Sequence, residues 1–212
     1  MQDNQRQALQ HKKDVIYAAG LLDGDGTYYI NKSKAPTTNW DVDQRTGEII
    51  YLAGLMDAEG TYYIKKCDLA HVLEGFKRVS PIYSGCIRIG MVEKEPLELL
   101  DKTFPGGKLM YEGVRKDRPN NKPMYRWELR KKALIINALE ELIPYAICKK
   151  KQAILLREFL KNWKNPINRK LGIGEVELLR REQAYQEMRK LNAVGAAATT
   201  KSQGAREGDA IV

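Results

Sequence analysis

Two near-copies of one short segment, 34 positions apart, restrict this chain more than any other feature. The first is Asp14-Val-Ile-Tyr-Ala-Ala-Gly-Leu-Leu-Asp-Gly-Asp-Gly-Thr-Tyr-Tyr-Ile-Asn-Lys32, and the second is Glu48-Ile-Ile-Tyr-Leu-Ala-Gly-Leu-Met-Asp-Ala-Glu-Gly-Thr-Tyr-Tyr-Ile-Lys-Lys66. Of the 19 paired positions, 12 are identical. Each copy reads as a short helix, a glycine stop and a β-strand. In the second copy Ile49, Ile50, Leu52, Ala53, Leu55 and Met56 make the helix apolar on almost every side, so it is expected to be buried. Gly54 and Ala58 lie four apart on one face, as do Gly20 and Gly24 in the first copy. Small residues at that spacing let another backbone come closer than the usual helix separation of about 8–10 Å. A glycine inside a helix costs up to ~1 kcal/mol relative to alanine, so close packing is the expected compensation.

Both helices end in acid. Asp57 and Glu59 stand at the C-terminus of the second, and Asp23 and Asp25 at the same places in the first. This is the unfavourable end, because the macrodipole already puts about half a negative charge there. No Lys or Arg of the motif is close in sequence, so the cluster calls for a cation, and hard carboxylate oxygens suit Mg²⁺. If two such helices pack side by side, their terminal carboxylates meet.

Net charge is +9 over 212 residues, which points to an anionic partner, nucleic acid first. The length suits one domain with a full core. Cys67, Cys86 and Cys148 have no paired spacing, which argues against a zinc site or a disulfide framework and for a reducing, intracellular compartment. His11 and His71 are the only histidines, too few for chemistry based on clustered imidazoles. No apolar run has the length to span a bilayer, so no membrane partner is expected.

Residues 1–13 read as a solvated leader, and 33–46 as a polar connector. After the second copy the pattern is strand, strand, helix, strand, strand, helix. Strands are expected over 61–66, 82–91, 108–115 and 124–130. In the second of these Ile87, Ile89 and Met91 face one way, and Ser84, Cys86, Arg88 and Gly90 the other. In the fourth, Tyr125, Trp127 and Leu129 alternate with Arg126, Glu128 and Arg130. Helices are expected near 95–104, 131–143, after Lys149-Lys150-Lys151, and over 175–191. The fold class is therefore α/β in the broad sense (α+β), with an antiparallel sheet. The domain division is an extension over 1–46 carrying the partial duplicate, a complete domain over 47–165, a helical extension over 166–192 and a disordered tail over 193–212.

Leu52-Ala-Gly-Leu-Met-Asp-Ala-Glu-Gly60 resembles the signature of the LAGLIDADG homing endonuclease family, and Ala18-Ala-Gly-Leu-Leu-Asp-Gly-Asp-Gly26 is a poorer match. The element order after Gly60 is similar to the family's αββαββα unit, whose strands form a saddle for DNA. The resemblance implies a site-specific double-strand DNA endonuclease, intron-encoded, using Mg²⁺ (or Mn²⁺). It implies that the last acid of each signature binds metal, here Glu59 and Asp25, with Glu59 catalytic. It also implies a lysine near the metals, for which Lys149 is the best local match; a phosphate-binding or solvent-facing lysine is the competing reading. Gly54 and Ala58 then mark the dimer-interface helix.

Arginine on a two-stranded ribbon can read guanine edges in the major groove, so Arg88, Arg126, Glu128 and Arg130 are the candidate base readers. Lys65, Lys66, Lys116 and Lys122 are the candidates for phosphate contacts.

One feature departs from the family pattern. Only about 15 residues separate the two copies, too few to hold a second αββαββα unit. Three arrangements follow. The first copy is a relic beside a homodimer that uses Glu59 twice on a near-palindromic site; it exchanges with the second helix in the dimer interface; or it blocks that interface and leaves the protein inactive. The homodimer is the expected one, because only the second copy runs into a complete domain. The alternative functions on the same scaffold are an intron maturase that binds RNA and a DNA-binding protein without catalysis. The family's link to mobile introns points to a prokaryotic cytoplasm or an organelle.

Overall fold

The computed structural model describes residues 2–25, 42–67, 80–114, 122–163 and 173–204. Six helices and four strands follow in the order α1 (Gln2–Asp25), α2 (Gln44–Ala58), β1 (Thr61–Cys67), β2 (Ile82–Met91), α3 (Glu95–Thr103), β3 (Lys108–Glu112), β4 (Met124–Leu129), α4 (Lys132–Leu142), α5 (Lys150–Lys161) and α6 (Glu175–Gly204). The αββαββα order expected over 47–165 is present from α2 to α4, and α5 follows it as a further helix.

The strands form one antiparallel sheet in the order β1-β2-β4-β3. Strict alternation in the sequence fixes which residues share a face. Tyr62 pairs with Ile87, Ile87 with Leu129, and Ile89 with Trp127, all of them buried. These residues look towards α3, α4 and α5. The helical side is closely fitted: a Cβ on Gly85 would lie 2.8 Å from the Leu156 side chain, and one on Gly107 would lie 2.2 Å from the Trp127 indole. Trp127 Nε1 donates to Asp101 at 2.8 Å, which satisfies its one polar atom.

The opposite face carries the residues expected there. Arg88 lies across from Glu128, Gly90 from Arg126, Tyr63 from Cys86, and Lys65 from Ser84. The sheet thus has an oily helical side and a polar, arginine-bearing side, as the alternation predicts.

Helix α2 starts on Asp43, whose carboxylate accepts from the Thr46 amide at 3.0 Å. That hydrogen bond holds the Asp43 carboxyl below its ordinary range. From Ile49 to Asp57 every residue except the half-buried Tyr51 is buried, in line with the apolar reading of this helix.

Strand β3 ends at Glu112, short of the expected 115, other element ends shift by a residue, and two boundaries differ more widely from the sequence reading. Residues 2–13, read as a leader, belong to α1. Their Gln, Arg and Lys side chains are good helix formers that need no core, and Gln10 bonds Asp14 one turn on at 2.9 Å. Helix α6 runs past residue 192 to Gly204, through the Ala196-Ala197-Ala198 run, because alanine propagates a helix without packing. It is also anchored to the domain. Tyr83 donates to Glu182, Lys66 pairs with Glu182 at 2.9 Å, and Asn192 reaches the Tyr62 carbonyl at 3.0 Å. The strand of the first copy, residues 27–32, lies outside the described residues. Among the described residues no helix is long and apolar enough to cross a membrane.

Candidate active site

Helices α1 and α2 pack against each other along their repeated glycine faces. A Cβ on Gly20 would lie 1.9 Å from the Tyr51 carbonyl oxygen, and one on Gly54 would lie 2.1 Å from that of Tyr17. Neither position has room for any side chain. Gly24 meets Ala58, where an added Cβ would sit 2.3 Å from the Ala58 Cβ. The hydroxyls repeat the symmetry: Tyr17 donates to Asp57 at 2.6 Å and Tyr51 to Asp23 at 2.6 Å. Tyr17 corresponds to Tyr51 in the repeat, and Asp23 to Asp57. Each contact therefore has its mirror, as across a two-fold axis, but both halves belong to one chain. Burial and the adjacent Asp57 charge push the Tyr17 hydroxyl well above the ordinary tyrosine range, so it stays a donor. The homodimer expected from sequence would use the face of α2 on which α1 lies.

The acids at the end of α2 have separate tasks. Asp57 is buried. Besides Tyr17 it accepts the backbone amides of Ile147 at 2.6 Å, Cys148 at 2.9 Å and Lys149 at 2.9 Å. Those amides stand just before α5, so a carboxylate at the wrong end of α2 is at the right end of α5. Lys149 does the converse. Its Nζ donates to the carbonyls of Ala58 and Gly60 at 2.7 Å each, and to that of Met56 at 3.4 Å. A lysine unfavourable at the start of α5 thus caps the end of α2. Two helix ends, each with the wrong charge on itself, neutralise one another. The cation that the motif lacks in sequence is supplied in part by a residue 92 positions away from Asp57.

Glu59 follows as the C-cap of α2 and is exposed. Its Cγ lies 3.1 Å from the point a Cβ on Gly24 would occupy, so it leans over the end of α1. Asp25 is the last residue of α1, one position on, and its side chain lies outside the described residues. The two acidic helix ends are brought side by side. Among the described residues no three acidic, His or Cys groups cluster as a ready-made cage. One or two carboxylates with open positions is a donor set that suits a hard divalent cation carrying waters and a substrate phosphate, so Glu59 fits such an ion.

Strand β1 begins two residues after Glu59, with Thr61 across from Arg88 on the polar face of the sheet. Glu128 is the hub of this face and is 3% exposed. It pairs with Arg88 at 2.5 Å and Arg130 at 2.5 Å, and Arg88 also donates to the Tyr63 hydroxyl at 3.0 Å. Burial alone would raise the Glu128 carboxyl, but the two guanidinium groups outweigh it and hold the acid below its ordinary range. Glu128 is therefore not a base reader: its oxygens are spent on the arginines it orients, with Arg130 mostly exposed and Arg88 half so. Arg126 pairs with Glu112 at 2.5 Å on the same face. Lys65 and Lys122 are exposed there and at the start of β4. Lys66 is a correction. It points to the helical side, pairs with Glu182 and stacks near Tyr185, because alternation along β1 puts it on the face opposite to Lys65. Lys116 lies outside the described residues.

Reasoning from sequence missed Asp57 as an anchor, the two reciprocal tyrosines, and Tyr63 as the partner of Arg88. The tyrosines had a visible signal, since both recur at one register of the repeat.

No family model and no curated protein matches the chain. Solved structures do. The homing endonuclease I-CvuI, in complex with the I-CreI target in the presence of magnesium and with its DNA uncleaved, superposes with a TM-score of 0.52 at 17% identity, over 69% of this chain and 83% of that one. The archaeal intron-encoded homing endonuclease I-Vdi141I, complexed with DNA, gives 0.52 at 18% identity over 68% and 83%. The meganuclease I-SmaMI, bound to uncleavable DNA, gives 0.52 at 12% identity over 85% of this chain and 59% of that one. At these identities the likeness is one of fold.

Proposed function

We propose that this chain, whose fold is that of the LAGLIDADG homing endonucleases, is a site-specific DNA endonuclease that hydrolyses phosphodiester bonds with Mg²⁺ or Mn²⁺. The observation that carries the reading is the side-by-side ending of α1 and α2 in Asp25 and Glu59, next to a sheet face bearing Arg88, Arg126 and Arg130. Glu59, with Asp25, would hold the cation, which when bound supplies Lewis-acid polarisation of the phosphate and a hydroxide nucleophile at neutral pH.

The chain's own residues do the rest. Arg88 and Arg130, aimed by Glu128, face the base edges, and Arg126 is the third reader. Lys65 and Lys122 neutralise phosphates and fix register. Lys149 holds the last turn of α2 in place through three carbonyls, and so positions Glu59. Asp57 locks the same turn to α5. The solved structures of this fold named above are DNA complexes, one of them of an intron-encoded enzyme, which supports duplex DNA as partner and an intron as origin. A homodimer on a near-palindromic site remains compatible with this chemistry only if α1 leaves α2.

The test is Glu59→Gln, assayed on duplexes selected from a randomised library. Cleavage with Mg²⁺ should be lost while DNA binding persists. Full cleavage by the variant removes Glu59 from the chemistry. Intron splicing that depends on the protein and survives the substitution would point instead to a maturase acting on intron RNA.

A further inference from the structure

We infer that α1 stands in for the second subunit: it occupies the self-association face of α2 within the same chain and keeps the protein monomeric. Three observations converge. The α1–α2 contact is reciprocal, with Gly20 on the Tyr51 carbonyl, Gly54 on the Tyr17 carbonyl, and two mirrored Tyr–Asp hydrogen bonds. The residues that make it recur in both copies, so a second chain's α2 offers nearly the surface that α1 offers. Backbone approaches this close leave no room for a third helix on the glycine face.

The competition is then decided by concentration. Residues 26–43 join the end of α1 to the start of α2. Such a length of chain reaches up to ~60 Å when extended, against the ~22 Å of a 15-residue helix, so the return path is easy. A connection of this length sets an effective concentration on the order of millimolar. For two interfaces of similar intrinsic strength, the internal one wins at micromolar protein.

If the endonuclease reading holds, a second consequence rests on it. One sheet accompanies two acidic helix ends among the described residues, so the duplex is read from one side. The target is then asymmetric, not near-palindromic.

The experiment is light scattering on the full chain, which needs neither DNA nor activity, so a failed nuclease reading leaves it intact. Wild type should be monomeric across the micromolar range. Gly20→Leu, which cannot fit against Tyr51, should release α1 and give a dimer through α2. Adding Gly54→Leu to that variant closes the face to any partner and should restore the monomer. Tyr17→Phe is a milder second arm. It removes a hydrogen bond of the internal pair alone, since a second chain would bring Tyr51 to Asp57; both chains must release α1 to form one dimer, so a closure weakened about tenfold in each should lower the concentration of half-dimerisation about a hundredfold. A wild-type dimer at micromolar concentration overturns the inference. So does a Gly20→Leu chain that stays folded and monomeric, or a Tyr17→Phe chain with unchanged self-association should the leucine variant fail to fold.

Discussion

Asp57 and Asp23 occupy the same place in the two copies, yet substituting them should have very different effects. Asp57 is buried and accepts four hydrogen bonds, one from Tyr17 and three from the amides of Ile147, Cys148 and Lys149. A hydrogen bond to a charged group contributes roughly 1.5–3 kcal/mol, and a donor left buried and unpaired costs about 1–3 kcal/mol. Ile147 and Cys148 are exposed, so water can reach part of the gap, and the lower half of the sum applies. Asp57→Ala should therefore destabilise the fold by ~3–5 kcal/mol, which lowers the melting temperature of a chain this size by about 10 °C. Asp23 is exposed and accepts the Tyr51 hydroxyl, so Asp23→Ala should cost about 1 kcal/mol. The assay is thermal and urea unfolding of both variants in metal-free buffer. Were Asp57 a metal ligand held against its own helix dipole, removing it without metal would relieve repulsion and raise stability by a few tenths of a kcal/mol up to ~1 kcal/mol. A stabilised Asp57→Ala, or equal losses for the two variants, would refute the anchoring argument.

Further outcomes follow from the sheet and from α6. Glu128→Ala frees Arg88 and Arg130, which are solvated enough to limit the stability cost to ~1–2 kcal/mol; duplex binding measured against salt should become steeper and less sequence-selective as two oriented cations become mobile ones. In α6, Glu182 is held at about 2 by Tyr83, Lys66 and Gln186, and Glu177 at about 2 by Arg180 and then Arg181. A depressed carboxyl stabilises the fold above the ordinary glutamate range, and that contribution is lost as pH falls from about 4.3 towards 2. Melting temperature followed over this interval should drop for wild type and change less for a Glu177→Gln/Glu182→Gln chain. An identical slope for the two would remove α6 from the acid response.

Most of the sheet was legible because strand periodicity is a local property. The sides of β2 and β4 follow from alternation alone, and Lys66 was misassigned only because that same rule was not applied to β1. The pairing of α1 with α2 was half legible. Glycines four apart announce a close helix neighbour, but near-identical copies can pair within a chain or between chains, and the local pattern is the same for both. The charges at the helix ends were each recognised as unfavourable. Their mutual resolution was not, because Asp57 and Lys149 are far apart in sequence and nothing periodic links them. Residues 2–13 show the limit of pattern reading: a helix built mostly from high-propensity residues without an apolar stripe gives no periodic signal.

The most direct measurement compares Asp25→Asn with Glu59→Gln in Mg²⁺-dependent cleavage of a selected duplex, each variant shown to be folded and monomeric. A centre assembled from both helix ends of a single chain predicts that either change abolishes cutting and spares binding. Full activity in Asp25→Asn alongside none in Glu59→Gln would contradict it, because a homodimer that uses Glu59 twice has no need of Asp25.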